Sequence, residues 1–412
     1  MPSPVPPGPC VFTAADLDAL TARAGLPPAR REKVRAVAAV TGFGVTSYVA
    51  DELIDWAAAP DDPLWRLMFP AEDMLDGTVT GPTTSQPGTG APGRQVQAAA
   101  RQAGGRPLAA GPQPGECVLP GAHRISHDTV LIYLPAGPGY GLACPGAAHP
   151  PRRAAPALAP GDVGRLAACL AGHPEVSMVE VAGDALAMPA CTLRGYIEPL
   201  LAAGHLAAIQ LPTRALACWP HRFLAGPDAD DTLRLFTQAT EQGTTVMLMA
   251  CFTHPRELEP DPATRAAARV RATGAMICTS GPLTGTVNDD PLTWAGLWRA
   301  QTRAGMVPHA MTIQHITGPA VHYQVPLARA HDIFAAAYAS VTGLARTVRG
   351  PVMADGHATI CLDGTTQAGT QKLFVLRHLQ ARDPHLAGQP FFAAYDPQAA
   401  WPDQLHPPDT PP

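Results

Sequence analysis

Apolar residues recur in short blocks through the second two thirds of the chain. Six runs read TVLIYL (129–134), SMVEVAG (177–183), LAAIQLP (206–212), TTVMLMACF (244–252), GAMICTS (274–280) and PHAMTIQ (308–314). Each is short and rich in Val, Ile, Leu or Met, as buried strands are. Between them, segments 161–171, 190–203, 230–242, 261–272 and 291–305 place apolar residues at helical intervals. Strand and helix alternate with a unit of roughly 30–35 residues. This alternation predicts an α/β fold, a partial parallel (β/α)6 barrel. In barrels the working residues stand just after the C-terminal strand ends, so those positions are the ones to examine.

Upstream the pattern is helical. Thr13 and Asp16 stand where a first helix begins, Pro27 and Pro28 break the pattern, and a second helix is expected over 29–39. The run TSYVADELIDWA (46–57) has helical spacing and predicts a third. Segment 78–116 changes character. It is rich in Gly, Pro, Thr and Ser and reads as a long mobile surface insert with a short helix at 95–102. After residue 327 come another helix, a β-rich stretch (GPVMADGHATICLDG) and a Pro-rich tail. The expected organisation is an N-terminal tail and helical extension at 1–77, the insert at 78–116, the barrel at 117–360 and a C-terminal segment at 361–412.

Composition narrows the function classes. The chain has 412 residues, 46% of them hydrophobic and 15% charged, with a net charge of −5. That length supports a sizeable core. The charge gives no reason to expect nucleic acid or an anionic membrane as a partner. No apolar stretch approaches the ~18 residues of a membrane span. The N-terminus MPSPVPPGPC lacks the basic start and apolar core of a signal peptide, so a cytoplasmic chain is expected. Nine cysteines are scattered without a CxxC pair, which in that setting reads as free, mostly buried thiols. The chain has only two lysines, Lys33 and Lys372.

Several strings then carry a resemblance. In order they are Phe43-x-Val45-Thr46-x-Tyr48, Asp61-Asp62-Pro63-Leu64 with Phe69-Pro70-Ala71-Glu72, and His123-Arg124 before the 129–134 strand. Ala182-Gly183-Asp184-Ala185-Leu186 follows, then Arg214 with Pro220-x-Arg222, and Phe252-Thr253-His254-Pro255-Arg256-Glu257-Leu258. The last are Gly285-Thr286-Val287-Asn288-Asp289 and His322-Tyr323. Together these resemble the lysine 2,3-aminomutase family of the radical S-adenosylmethionine superfamily, over about residues 40–360. The resemblance implies a partial barrel of radical S-adenosylmethionine type with an N-terminal helical extension, usually in an oligomer. It also implies a [4Fe–4S] cluster, S-adenosylmethionine and pyridoxal phosphate, used to move an amino group of an amino acid.

Position by position, this chain departs from that pattern. The family's CxxxCxxC ligand positions fall on Tyr140, Cys144 and Ala147, so one thiolate remains of the three that suit iron. Cys144 reads as a vestigial ligand or an ordinary loop thiol. Cys191, Cys218, Cys251 and Cys278 lie near strands or their ends and are the candidates for relocated ligands. Of the turn that receives S-adenosylmethionine, Gly183 and Asp184 remain, read also as a plain turn capped by Asp184. Where the resemblance expects a Schiff-base lysine, the chain reads Asp355-Gly356-His357, and Lys372 downstream reads as a surface residue. Arginine cannot replace it. Arg152 and Arg153 stand where a substrate carboxylate would bind, or are a solvated pair. His315 replaces one substrate aspartate, and Asp355 is a candidate for the other. Arg214, His254, His315 and Asp355 are the remaining pocket candidates. The expectation is a pseudoenzyme or ligand-binding scaffold with no cofactor, whose ligand is an amino acid or nucleoside-like molecule. The alternatives are an aminomutase-like isomerase with relocated ligands, or non-radical chemistry in the same pocket.

Overall fold

The computed structural model describes residues 10–74, 119–135, 156–316, 318–354, 358–381 and 383–409. Two short strands, β1 (Val11–Thr13) and β2 (Gly44–Thr46), pair antiparallel in the N-terminal extension. All other strands form one eleven-stranded sheet. In chain order these are β3 (Ala122–Arg124), β4 (Thr129–Tyr133), β5 (Met178–Ala182), β6 (Ala208–Thr213), β7 (Thr245–Cys251), β8 (Met276–Pro282), β9 (Val307–Ile313), β10 (Arg349–Ala354), β11 (Ala358–Ala368), β12 (Gln371–Ala381) and β13 (Pro390–Ala394).

The spatial order of the sheet is the chain order. Strands β4 to β10 are parallel, and antiparallel strands flank them on both sides. Each crossover therefore steps to the next strand without reversal. Right-handed crossovers in one direction carry their helices to one face, and the sheet curls away from them. The chain is thus an α/β protein with a large, mostly parallel sheet, which fits a partial barrel.

Period-two burial shows which face meets the helices. In β7, Val246, Leu248 and Ala250 are buried while Thr245, Met247, Met249 and Cys251 are half-buried, and β5 and β6 alternate in the same way. The buried set packs against Pro227–Glu241 and its neighbours, whose inward residues include Leu235 and Phe236. On helix Pro291–Arg303, Trp294 and Trp298 fill the space between sheet and helices, and Trp298 meets the Phe334 ring edge-on at 5.7 Å.

All six strands expected from the sequence are present, as are the helices between them, such as Ala190–Leu201 and Asp261–Arg271. The sheet also gains β10 as a seventh parallel strand. Strand β11 crosses residue 360, where the sequence reading divides barrel from C-terminal segment, and the sheet runs on through β13. Segment 46–57 differs from expectation. Thr46 ends β2 and its hydroxyl donates to the Cys218 carbonyl at 2.6 Å, so the helical part is confined to residues 47–53, of which Val49–Leu53 is a π turn. Strand pairing and a long-range hydrogen bond outcompete helical spacing there. Cys169 is disulfide-bonded, against the expectation of free thiols. Among the described residues no helix is long and apolar enough to cross a membrane.

Candidate functional site

The C-terminal ends of β5, β6 and β7 stand side by side. They carry Gly183–Asp184, Thr213–Arg214 and Cys251–His254 respectively. Gly183 has φ +91, a conformation that disfavours any residue with a Cβ, and among the described residues no atom beyond its chain neighbours lies within 4 Å of the place a Cβ would occupy. None of the described residues closes over the backbone at this turn.

Asp184 joins two strand ends. Its carboxylate accepts from the Thr213 hydroxyl at 2.8 Å, the Arg214 amide at 2.9 Å and the Leu186 amide at 3.2 Å. The last contact caps the short 3-10 turn Ala185–Ala187. Burial pushes the Asp184 carboxyl above the usual carboxylate range, while these donors pull it down.

Arg214 reaches from β6 to β7. Its side chain is 13% exposed. One terminal nitrogen donates to Glu257 Oε1 at 3.2 Å and lies 3.6 Å from Cys218 Sγ. The other lies 3.4 Å from Thr253 Oγ1 and 3.5 Å from Cys251 Sγ. Glu257 is fully buried, and its second oxygen accepts from the Thr253 amide at 2.5 Å and the His254 amide at 3.0 Å. Burial pushes the Glu257 carboxyl up, against the pull of Arg214 and the two amides. The pair fixes the loop after β7 to the loop after β6.

His254 turns away from this network. Its Nδ1 accepts from the Arg256 amide at 3.3 Å, and with Glu257 it forms a capping box on the 3-10 turn Pro255–Leu258. Arg256 pairs with the buried Asp62, which caps helix Pro63–Met68 of the N-terminal extension. Burial, and then the nearby Arg256 charge, hold His254 down at about 4. The fold therefore favours neutral His254. Its contribution to stability is present above the ordinary value of 6.5 and is lost as pH falls toward 4. The wild type is expected to lose up to about 3 kcal/mol more than His254→Asn between pH 7 and pH 4. Urea unfolding of both proteins across that range checks this; parallel curves would contradict it.

Asn288 locks the next strand end. Its Nδ2 donates to the Thr253 and Pro282 carbonyls at 2.9 and 3.0 Å, and its Oδ1 accepts from the Thr284 amide at 2.7 Å. His315 stands apart, exposed, with its ring stacked on Trp401 at 5.0 Å. His322 faces Asp73 at 3.3 Å. The structure thus brings Asp184, Arg214 and the backbone of His254 together and leaves His315 elsewhere. Tyr140, Cys144, Ala147, Arg152, Arg153 and Asp355 lie outside the described residues.

Thr213, Thr253 and Glu257 belong to the network but were not candidates from the sequence. His254 and Glu257 form a capping box in the structure, but the sequence pattern for one has Ser or Thr at the first position, so it did not mark Glu257. Nothing in the sequence marks the two threonines. Of the candidate relocated thiols, Cys218 and Cys251 flank the Arg214 guanidinium, Cys191 is exposed on Ala190–Leu201, and Cys278 is buried in β8. Among the described residues no group of three or more His, Cys, Asp or Glu side chains is arranged to hold a metal. Both lysines are exposed: Lys33 on helix Pro28–Thr41, and Lys372 on β12 with its Nζ 3.8 Å from the Tyr395 ring centroid.

No family model matches the chain. The putative L-lysine 2,3-aminomutase of Aquifex aeolicus (strain VF5) is 29% identical over 230 residues, which is 56% of this chain. The match spans about three fifths of that relative's length. This likeness supports the lysine 2,3-aminomutase family, and the mostly parallel α/β sheet agrees with it.

Proposed function

We propose that this chain is a divergent lysine 2,3-aminomutase-like protein that keeps the barrel as a ligand-binding scaffold and has lost the radical reaction. The observation that carries the reading is the placement of its two lysines. A pyridoxal phosphate aldimine needs a lysine amine at the reacting site. Lys33 and Lys372 are both exposed, one in the N-terminal extension and one beside the turn of the β11–β12 hairpin. Neither stands after a parallel strand, so the residues present do not fit that cofactor. The cluster positions Tyr140, Cys144 and Ala147 supply one thiolate. A guanidinium lies between Cys218 and Cys251, and a fixed cation there leaves the thiols poorly placed to share an iron. What remains at the strand ends is the Gly183 turn, held by Asp184. The ligand class is an amino acid or a nucleoside-like molecule.

Equilibrium dialysis with L-lysine and with S-adenosylmethionine tests the scaffold. Saturable binding of one of them is expected, and Gly183→Ala is expected to weaken it at least about tenfold, through strain at positive φ and a methyl group in the ligand's approach. No saturable binding of either would overturn the scaffold reading. Pyridoxal phosphate followed by borohydride is expected to leave no stoichiometric adduct. A stoichiometric adduct lost in Lys372→Arg would overturn the proposed loss.

A second reading rests on a different observation. Asp184 and Glu257 are shifted up and His254 down within one group of strand ends, as catalytic groups often are. It predicts non-radical turnover that is abolished in Arg214 variants and indifferent to Cys144→Ala.

A further inference from the structure

On the face of the sheet turned away from the helices, β7 and β8 bring four sulfur-bearing side chains together. Alternate residues share a face of a strand. In β7 the buried Val246, Leu248 and Ala250 face the helices, so Met247 and Met249 face the other way. In β8 the Thr279 hydroxyl donates to Gln301 on helix Pro291–Arg303, so Met276 and Cys278 share the face of the two methionines. The register sets Met247 beside Met276 and Met249 beside Cys278. We propose that these four residues form a site for a soft monovalent cation of the Cu(I) class. The proposal is independent of the function proposed for the strand ends.

Three observations carry it. The first is the donor set. Three thioethers and a thiol are soft ligands, which select Cu(I) over hard cations such as Mg²⁺ or Ca²⁺. The second is spacing. Neighbouring strands lie roughly 5 Å apart and alternate residues roughly 7 Å apart along one strand. Methionine has three rotatable side-chain bonds, so thioethers at the corners of such a rectangle can turn onto one ion between them. The third is access. Met276 is 47% exposed and Met247 and Met249 are half-buried, whereas core methionines such as Met311 and Met353 are closed off, at 0% and 1%. Cys278 lies behind these thioethers at 5%. Burial raises its thiol and the nearby Arg349 pulls it back. The thiol is therefore protonated when free, and a bound ion displaces that proton. Ion and thiolate together are neutral, so the Arg349 charge does not oppose them. Cys251, next on the same face of β7, is held by Arg214 and is not part of the site.

The test uses the full chain, reduced and free of oxygen, with Cys10→Ser and Cys191→Ser removing the exposed thiols. Cu(I) is titrated against the chelator bicinchoninate, and copper X-ray absorption reads the ligand atoms. One tightly held Cu(I) per chain with only sulfur neighbours is expected. Met249→Leu and Met247→Leu are each expected to weaken it at least about tenfold, because leucine keeps the volume and removes the donor. Met311→Leu, which removes a fully buried thioether of β9, should change nothing and separates lost ligation from lost packing. Proton release on binding is expected, and its loss in Cys278→Ser. No retained Cu(I), a nitrogen neighbour in the absorption spectrum, or an affinity unchanged in both β7 methionine variants would each overturn the proposal.

Discussion

Glu257→Ala is expected to lower the free energy of unfolding by about 3–5 kcal/mol. Glu257 is fully buried and receives the Arg214 guanidinium and two backbone amides. Removing the carboxylate strands a largely buried cation and two buried N–H groups, and each loses a partner that water cannot replace. Glu257→Gln keeps one acceptor oxygen and should cost clearly less. The comparison separates lost charge from lost hydrogen bonding. Urea unfolding followed by far-UV circular dichroism measures both. A loss below about 1 kcal/mol in Glu257→Ala would mean that the pair is not buried as described.

Arg222→Met should have an effect of similar size, about 3–5 kcal/mol, for a related reason. Arg222 is buried and pairs with Asp228. It also donates to the carbonyls of Leu186 and Met188 at 3.0 Å each and to the Thr232 hydroxyl at 2.8 Å. The first two contacts hold the chain just after the Gly183–Asp184 turn. Asp228 also accepts from the Ala190 amide at 2.7 Å, at the start of helix Ala190–Leu201. Methionine fills much of the volume but satisfies none of these groups. Arg222→Lys is not expected to rescue, because an ammonium lacks the planar fork that reaches several acceptors at once. Beyond stability, the account predicts that ligand binding at Gly183 falls in Arg222→Met under conditions where the protein is still folded. Unchanged binding would show that the turn holds itself.

The barrel strands were legible because their signal is local. Short Val, Ile, Leu and Met runs, separated by helical stretches of regular length, leave little choice of fold. The C-terminal hairpin was less legible. Strands β11 and β12 mix polar and apolar residues, since parts of both are exposed. The helix expected over 46–57 is found over 47–53, and its start was misplaced because helical spacing is intrinsic to a sequence, whereas the Thr46 contact with Cys218 spans 172 positions. The site divides in the same way. Gly183, Asp184, Arg214 and His254 could be found from strand ends and the family resemblance. Thr213 and Thr253 could not, because a single threonine at or just beyond a strand end has no spacing signature. His315 looked equivalent to the others in sequence, yet the C-terminal segment places Trp401 against it.

The central claim is that the radical machinery is gone while the barrel persists. The most direct test is anaerobic iron–sulfur reconstitution of the full chain, followed by iron and sulfide analysis and an ultraviolet–visible spectrum. The account predicts a colourless, folded protein with no stoichiometric iron or sulfide and a spectrum unchanged by Cys144→Ala. A brown protein holding about four irons per chain would contradict it and would place cluster ligands among the scattered cysteines.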